Sequence, residues 1–296
     1  MPLKKNKKIK ENNIDCLITK ASFLFKEKKL NLPELEAQIL LSYVLKKDRA
    51  FILAHPEYIV EDKETKEFFS LVKKRLSGWS SAVILGNKEF YGLDFLVNKN
   101  VLVPRPETEI LVDTILAQVK SSGEALIIDI GTGSGAIITS LFKNLETRKD
   151  LNFYASDKSK AALKVAKYNA KHHKAKINFL SGDLLKPYLP ILKKLKPNNL
   201  IIAANLPYLN PKEMEEPSIK KEPKAALLSG SNGLWHYKRL FSQLKKINLP
   251  KVFLICEINP TQASEIKKLA YTSFPKAKTY FQNDYTKRIR FFVLEI

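Results

Sequence analysis

Residues 125–135 read ALIIDIGTGSG: an apolar run, one acid, then glycine at every second position. Leu126, Ile127, Ile128 and, past Asp129, Ile130 show no polar alternation, which predicts a central parallel strand buried on both faces. The chain must then turn sharply. Gly131, Gly133 and Gly135 permit positive φ and let the backbone approach a ligand with no Cβ in the way. A helix expected from about Ala136 presents unpaired N–H groups to that ligand. The pattern predicts a nucleotide-type pocket at the strand's carboxyl end, although an ordinary βα loop also uses glycine.

Asp157 narrows the choice. It closes a second short strand (Phe153, Tyr154, Ala155), near the spacing at which an acid grips a ribose hydroxyl in doubly wound folds. The glycines do not follow the dinucleotide order GxGxxG; they run GxGxG behind an acid. DIGTGSG resembles the S-adenosylmethionine turn of Rossmann-like methyltransferases. That resemblance makes Asp129, Gly131, Thr132, Gly133, Ser134 and Gly135 candidate cofactor residues, with Asp157 on the ribose.

The chain has 296 residues and is 45% hydrophobic, enough for one large core or two. No segment approaches the roughly 20 apolar residues of a membrane span. The basic start MPLKKNKKIK has no apolar stretch behind it, so it reads as a solvated tail rather than a secretory signal. Cys16 and Cys256 are far apart and without partners at metal spacing, which predicts reduced thiols in a cytoplasmic protein. Lysine and arginine outnumber acids by 51 to 30, a net charge of +21 that suits polyanionic company. The excess is spread along the chain, so it says little about substrate.

Residues 12–78 read as helical. Ile14, Leu17, Ile18, Ala21, Leu24 and Phe25 make one apolar stripe; Ala37, Leu40, Leu41, Val44 and Leu45, behind Pro33, make a second. Thr65, Phe68, Phe69, Val72 and Leu76 make a third, ending at Gly78. From Ala82 to Val103 the period turns strand-like. Val83, Ile84 and Leu85 are expected as one strand of a hairpin, with a turn at residues 86–88 and Phe90, Leu93, Phe95 and Val97 beyond. Next comes PRPETE at residues 104–109, stiffened by two prolines, then a helix with Ile110, Leu111, Thr114, Ile115 and Gln118 on one side.

The βα alternation continues with a helix over Ala161 to His172 and a strand at Ile177 to Leu180. Asp183 follows, where its carboxylate can accept from an adenine amino group while Leu184 packs on the ring; a plain helix cap is the other reading. Leu200 to Ala204 reads as a buried strand that delivers Asn205 to the same edge as the glycine turn. An amide nitrogen is a poor nucleophile, its lone pair being delocalised, so an enzyme must position it. The Asn205 side-chain oxygen and the Leu206 carbonyl can accept both N–H bonds of a substrate NH2. Pro207 keeps Leu206 out of the helical region, and Tyr208 offers a flat face. An ordinary turn would also use Asn and Pro. Val252 to Ile255, with Glu257 at its end, and Arg288 to Ile296 are further strands. Glu222 to Gly233 is the expected loop over the substrate, with Gly230 and Gly233 as hinges or turns.

Taken together, Glu36-Ala37, Gly86 to Phe90, PRPETE, DIGTGSG, Asp157, Gly182-Asp183, NLPY at 205–208, Glu222-Pro223, Gly233-Leu234 with Tyr237, and Asp284 to Arg288 resemble the peptide chain release factor protein-(glutamine-N5) methyltransferases, the PrmC/HemK family. The resemblance implies an α/β fold. A Rossmann-like seven-stranded S-adenosylmethionine-dependent methyltransferase domain, its last strand antiparallel, follows a small helical bundle and a β-hairpin linker. The expected divisions are 1–80 for release-factor recognition, 81–103 for the linker and 104–296 for methyl transfer. The implied reaction methylates the side-chain amide of the Gly-Gly-Gln glutamine of release factors, with Asn205, Leu206, Pro207 and Tyr208 as catalytic and substrate-binding residues and Asn205 also among the cofactor-binding ones. No metal and no membrane are implied. Two departures stand out: Leu206 replaces the family's first proline, and SSAVIL precedes Gly86. An rRNA adenine N6-methyltransferase, which also shows NLPY but has its helical domain after the catalytic one, and a catalytically silent ribosome-binding module are the alternatives.

Overall fold

The computed structural model describes residues 12–209, 220–230 and 233–296. Contacts divide the chain into two compact units, Met1–Gly86 and Asn87–Ile296. In the first, α1 (Ile14–Glu27), α2 (Pro33–Leu45), α3 (Arg49–Ala54) and α4 (Asp62–Leu76) are followed by the short α5 (Ser81–Leu85). The starts are capped as the residues dictate. Asn13 accepts from Cys16 N at 2.8 Å, Asp48 from Phe51 N at 2.8 Å, and Pro33 opens α2. Phe25, Leu40, Leu41 and Phe68 are fully buried, but Leu24, expected inward, is exposed at the margin of its stripe.

Val83, Ile84 and Leu85, expected as a strand, form the helical turn α5 instead. Ser80 accepts from Val83 N at 3.4 Å at one end, and Gly86, at φ 77°, closes the other. Both caps, with packing of Ile84 and Leu85 on the helical core, override the β preference of two branched residues.

A polar pin lies inside this unit. Arg75, 4% exposed, donates from Nε to Glu36 at 2.8 Å, and Ser81 donates to the same carboxylate oxygen. Removing the carboxylate leaves a buried guanidinium without its ion-pair partner. Glu36→Ala is therefore expected to lower unfolding stability by about 3 kcal/mol, read by denaturant titration. A loss below about 1 kcal/mol would mean that water replaces the carboxylate without penalty.

The second unit starts with the hairpin of β1 (Asn87–Phe90) and β2 (Leu93–Leu96). Tyr91 and Gly92 both have positive φ, the turn that matches strand twist. A seven-stranded sheet follows, made of β3 (Ala125–Ile130), β4 (Leu151–Asp157), β5 (Asn178–Ser181), β6 (Leu200–Ala204), β7 (Val252–Glu257), β8 (Lys278–Asn283) and β9 (Ile289–Glu295). The order is β5-β4-β3-β6-β7-β9-β8; β9 is antiparallel to both neighbours and the other pairings are parallel. This is the architecture expected for a Rossmann-like methyltransferase domain.

Every residue of β3 is buried, because alternate side chains enter two separate cores. Leu126, Ile128 and Ile130 join one core with Ile202 and Leu254; Ala125 and Ile127 join the other with Ile201 and Ile255. The helices covering the faces include α6 (Glu109–Lys120), α7 (Ala136–Leu145), α8 (Lys160–His172), α9 (Leu189–Leu195), α10 (Trp235–Leu244) and α11 (Ala263–Ser273). Strand order reverses between β3 and β6, so the helices leave a crevice at the carboxyl ends there, the place where such sheets bind ligands. Among the described residues no helix is long and apolar enough to cross a membrane.

Candidate active site

A cavity of about 370 Å³ opens at this reversal point. Four strands deliver residues to it: Gly131 and Gly133 after β3, Asp157 at the end of β4, Asp183 and Leu184 after β5, and Asn205, Leu206 and Pro207 after β6. Its size falls in the usual range for small-molecule sites. A second cavity of about 50 Å³, lined by Arg105, Thr108 and the glycine turn, lies beside it. Asn205 lines both.

The turn is held by its own backbone. Gly131 N and Thr132 N donate to Ser156 O at 2.8 and 2.9 Å. Gly133 has φ 56°, and a Cβ there would meet nothing closer than 4.0 Å, so it would stand in the cavity. That open cradle is what a ligand lying along the backbone needs, and the residues present fit S-adenosylmethionine. Gly135 serves packing instead. A Cβ on it would press on Ala166 of α8 at 3.1 Å, so glycine here lets α7 and α8 approach. Asn169 ties the same region together, pairing with Leu96 in β2 and donating to Ser134 O at 2.8 Å.

Asp129 is fully buried beneath the turn and accepts from Thr132 Oγ1 at 2.6 Å. Burial pushes its carboxyl up to about 7, against the pull of the Thr132 hydrogen bond. In the unfolded chain the same proton is lost near pH 4. The folded state thus binds more protons between these values, and stability falls as pH rises through that window. Asp129→Asn, which keeps an acceptor for Thr132, is expected to gain on wild type by about 2 kcal/mol between pH 5 and pH 8 in urea unfolding. Parallel pH profiles for the two proteins would show that Asp129 ionises normally.

Asp157 is committed to the turn as well as to the cavity: Oδ2 accepts from Gly133 N at 3.0 Å and Oδ1 from Ser159 N at 2.8 Å. Burial raises its pKa, and these N–H groups oppose the rise. Each oxygen keeps a lone pair for a ligand hydroxyl. Asp183 is paired through both oxygens with Arg239, whose guanidinium stacks on Trp235 at 4.3 Å. Leu184 lies next to it at φ 54°, a left-handed position that turns the chain along the cavity wall.

Asn205 sits in front of a buried carboxylate. Its Nδ2 donates to Glu257 Oε2 at 2.8 Å and contacts Thr108 Oγ1 at 3.3 Å. Thr108 itself donates to Glu257 Oε2 at 2.7 Å, and Tyr208 donates to Oε1 at 3.3 Å. Burial raises the Glu257 pKa, opposed first by the Thr108 hydrogen bond. Among the described residues no donor reaches Asn205 Oδ1 or Leu206 O. Leu206, standing where a proline was expected, is 3% exposed and fills the space beneath Gly131, where a Cβ would meet its Cδ2 at 3.3 Å. Tyr208 lines neither cavity: its ring packs against the core and its hydroxyl serves Glu257.

Several contributors were not legible as site residues. Glu257 reads only as an acid ending an apolar strand, and Thr108 as one letter of PRPETE. His236 lines the larger cavity, with Nδ1 2.8 Å from Ser229 Oγ. Burial and Arg239 hold its imidazole below the usual range. Gly233 is a close-approach glycine: a side chain there would overlap Tyr208 O and Gln262 Nε2. Pro223, Ala225 and Ala226, from the loop expected over the substrate, line the larger cavity. Residues 231 and 232 of that loop, and the lysine tail at 1–11, lie outside the described residues. Among the described residues no cluster of ligands for a metal ion occurs.

Residues 17–86 match a family described as the PrmC N-terminal domain, and residues 121–280 match one described as a methyltransferase domain. A release factor glutamine methyltransferase of Coxiella burnetii is 38% identical over 238 residues, spanning 80% of this chain and 83% of that protein. One of Bacillus subtilis is 36% identical over 255 residues, spanning 84% and 86%. Among solved structures the hMettl16 catalytic domain, crystallised with an RNA hairpin, is similar in fold at a TM-score of 0.52 and 16% identity, covering 86% of this chain and 91% of that one. At such identity across four-fifths of both chains, this protein belongs to the family of release factor glutamine methyltransferases.

Proposed function

We propose that the chain transfers a methyl group from S-adenosylmethionine to the side-chain amide nitrogen of the glutamine in the Gly-Gly-Gln loop of a release factor. The observation that supports this most is Asn205, which lines both cavities with its NH2 turned back toward Glu257 and its oxygen left for an incoming donor. The larger cavity takes the methyl donor, with Asp157 on the ribose hydroxyls, the 131–135 turn along the amino-acid portion, and Asp183 with Leu184 around the adenine. The smaller cavity admits the carboxamide.

The chemistry is one of positioning. Asn205 Oδ1 and Leu206 O accept the two N–H bonds of the substrate amide, which draws its lone pair out of conjugation and aims it at the donor. S-adenosylmethionine, when bound, would supply an electrophilic methyl carbon with a neutral thioether as its leaving group, and the amide lone pair held by Asn205 and Leu206 would be placed to accept that carbon. The nitrogen, left positively charged by the new bond, then gives up one proton to solvent. The two oxygens hold partial negative charge against the positive charge developing on nitrogen, and no side-chain base is required. The helical unit holds the release factor, and the reaction takes place in the cytoplasm where that factor works.

Mass spectrometry of a tryptic release-factor peptide after incubation with enzyme and donor tests the reading. One added methyl on the loop glutamine, absent when that glutamine is replaced by alanine, is expected. Label appearing instead in protein-free rRNA would move the substrate class to nucleic acid.

A further inference from the structure

The polar groups behind Asn205 form a closed donor–acceptor account. Glu257 Oε2 accepts from the Asn205 amide at 2.8 Å and from the Thr108 hydroxyl at 2.7 Å, and Oε1 accepts from Tyr208, so both carboxyl oxygens face their neighbours as acceptors. Thr108 has one hydroxyl hydrogen, and Glu257 takes it. At 3.3 Å from Asn205, Thr108 Oγ1 is therefore left to accept. Both groups facing the back of Asn205 are acceptors, and the amide can answer them only with NH2. Tyr208, whose hydroxyl donates to the other oxygen of Glu257 at 3.3 Å, steadies the carboxylate from the far side.

We infer that Glu257, with Thr108, is a positioning residue that locks the rotamer of the Asn205 amide so that its oxygen, and not its nitrogen, faces the substrate. The inference rests on the proposed role of Asn205 as the acceptor for the substrate amide. The reversed amide would present two donors to a substrate group that itself donates, and would repel it. Free asparagine pays little to turn over; here the turn would set NH2 against nothing and oxygen against a carboxylate. Glu257 lines neither of these two cavities, and it reaches them through the residues it holds, Asn205 at both and Thr108 at the smaller.

The test compares wild type with Glu257→Ala, Glu257→Gln and Thr108→Val. In Glu257→Ala the kcat for methylation of a release factor is expected to fall by at least about tenfold, with KM and the calorimetric dissociation constant for S-adenosylmethionine within about threefold of wild type. Glu257→Gln keeps an oxygen where Oε2 stands and is expected to recover most of that loss. Independently of activity, the Nδ2 hydrogens of Asn205, assigned in 15N NMR by their absence in Asn205→Ala, are expected to exchange at least about tenfold more slowly than a free carboxamide in wild type and to lose this protection in Glu257→Ala. Unchanged kcat in Glu257→Ala, a glutamine variant no better than alanine, or unprotected Nδ2 hydrogens in wild type would each overturn the inference. Should Glu257→Ala fail to fold, Thr108→Val decides, since unchanged kcat there overturns it too. Protected hydrogens in an enzyme that labels no release factor would instead sink the substrate reading and leave the lock standing.

Discussion

Asn205→Ala is expected to lower kcat for release-factor methylation by about a thousandfold while leaving the affinity for S-adenosylmethionine within about threefold of wild type. The asymmetry follows from where the side chain points. Its nitrogen is engaged by Glu257 and Thr108, and the residue lines both cavities, whereas Asp157, the acid proposed for the ribose, lines only the larger one. The hydrogen bond it offers matters most as charge develops on the attacking nitrogen, so its loss appears in turnover. About a thousandfold corresponds to roughly 4 kcal/mol, the upper range for removing one preorganised partner of a transition state. Initial rates of methyl incorporation at saturating substrates, together with calorimetric titration of the donor, separate the two quantities. Equal losses in both would place Asn205 on the cofactor instead.

Replacing Asp157 is expected to do the reverse. Asp157→Ala should weaken binding of S-adenosylmethionine by about a hundredfold, with kcat at saturating donor within about fivefold of wild type. Two losses combine. The carboxylate no longer accepts ligand hydroxyls, and Gly133 N and Ser159 N, at 3.0 and 2.8 Å, lose the acceptor that shapes the turn. Hydrogen bonds to a charged group contribute about 1.5–3 kcal/mol each, so losing one or two bonds to the ligand accounts for the factor. Calorimetry reads it directly. Donor affinity unchanged in this variant would remove Asp157 from the ribose site and leave it as a brace of the glycine loop.

The elements that proved legible in sequence share one property: their signal is local. β3 announces itself as an apolar run, the turn by alternate glycines, and the helices of the first unit by stripes that the structure buries at Leu17, Leu40 and Phe68. The failures have local causes too. Val83 to Leu85 looked like strand because β-branched residues favour it, yet a serine cap, a left-handed glycine and a core to pack on made it helix. The six-residue α3 was not separable within a segment read as helical throughout.

The sequence by itself determined that a buried parallel strand ends in a glycine turn, that an acid and an asparagine follow at the ends of two other strands, and that a helical bundle precedes them. Periodicity and backbone freedom are properties of neighbouring residues, and they survive being read in one dimension. Only the tertiary structure decided that Thr108, Asn205 and Glu257, separated in sequence by 97 and 52 residues, share one carboxylate oxygen, and that Tyr208 serves Glu257 rather than the cavity. Strand order sets one of those meetings, because β6 pairs with β7 and so places Asn205 beside Glu257, while Thr108 arrives from the turn before α6. No spacing along the chain encodes that convergence, because which strands become neighbours depends on burial of the whole sheet between its two helical layers.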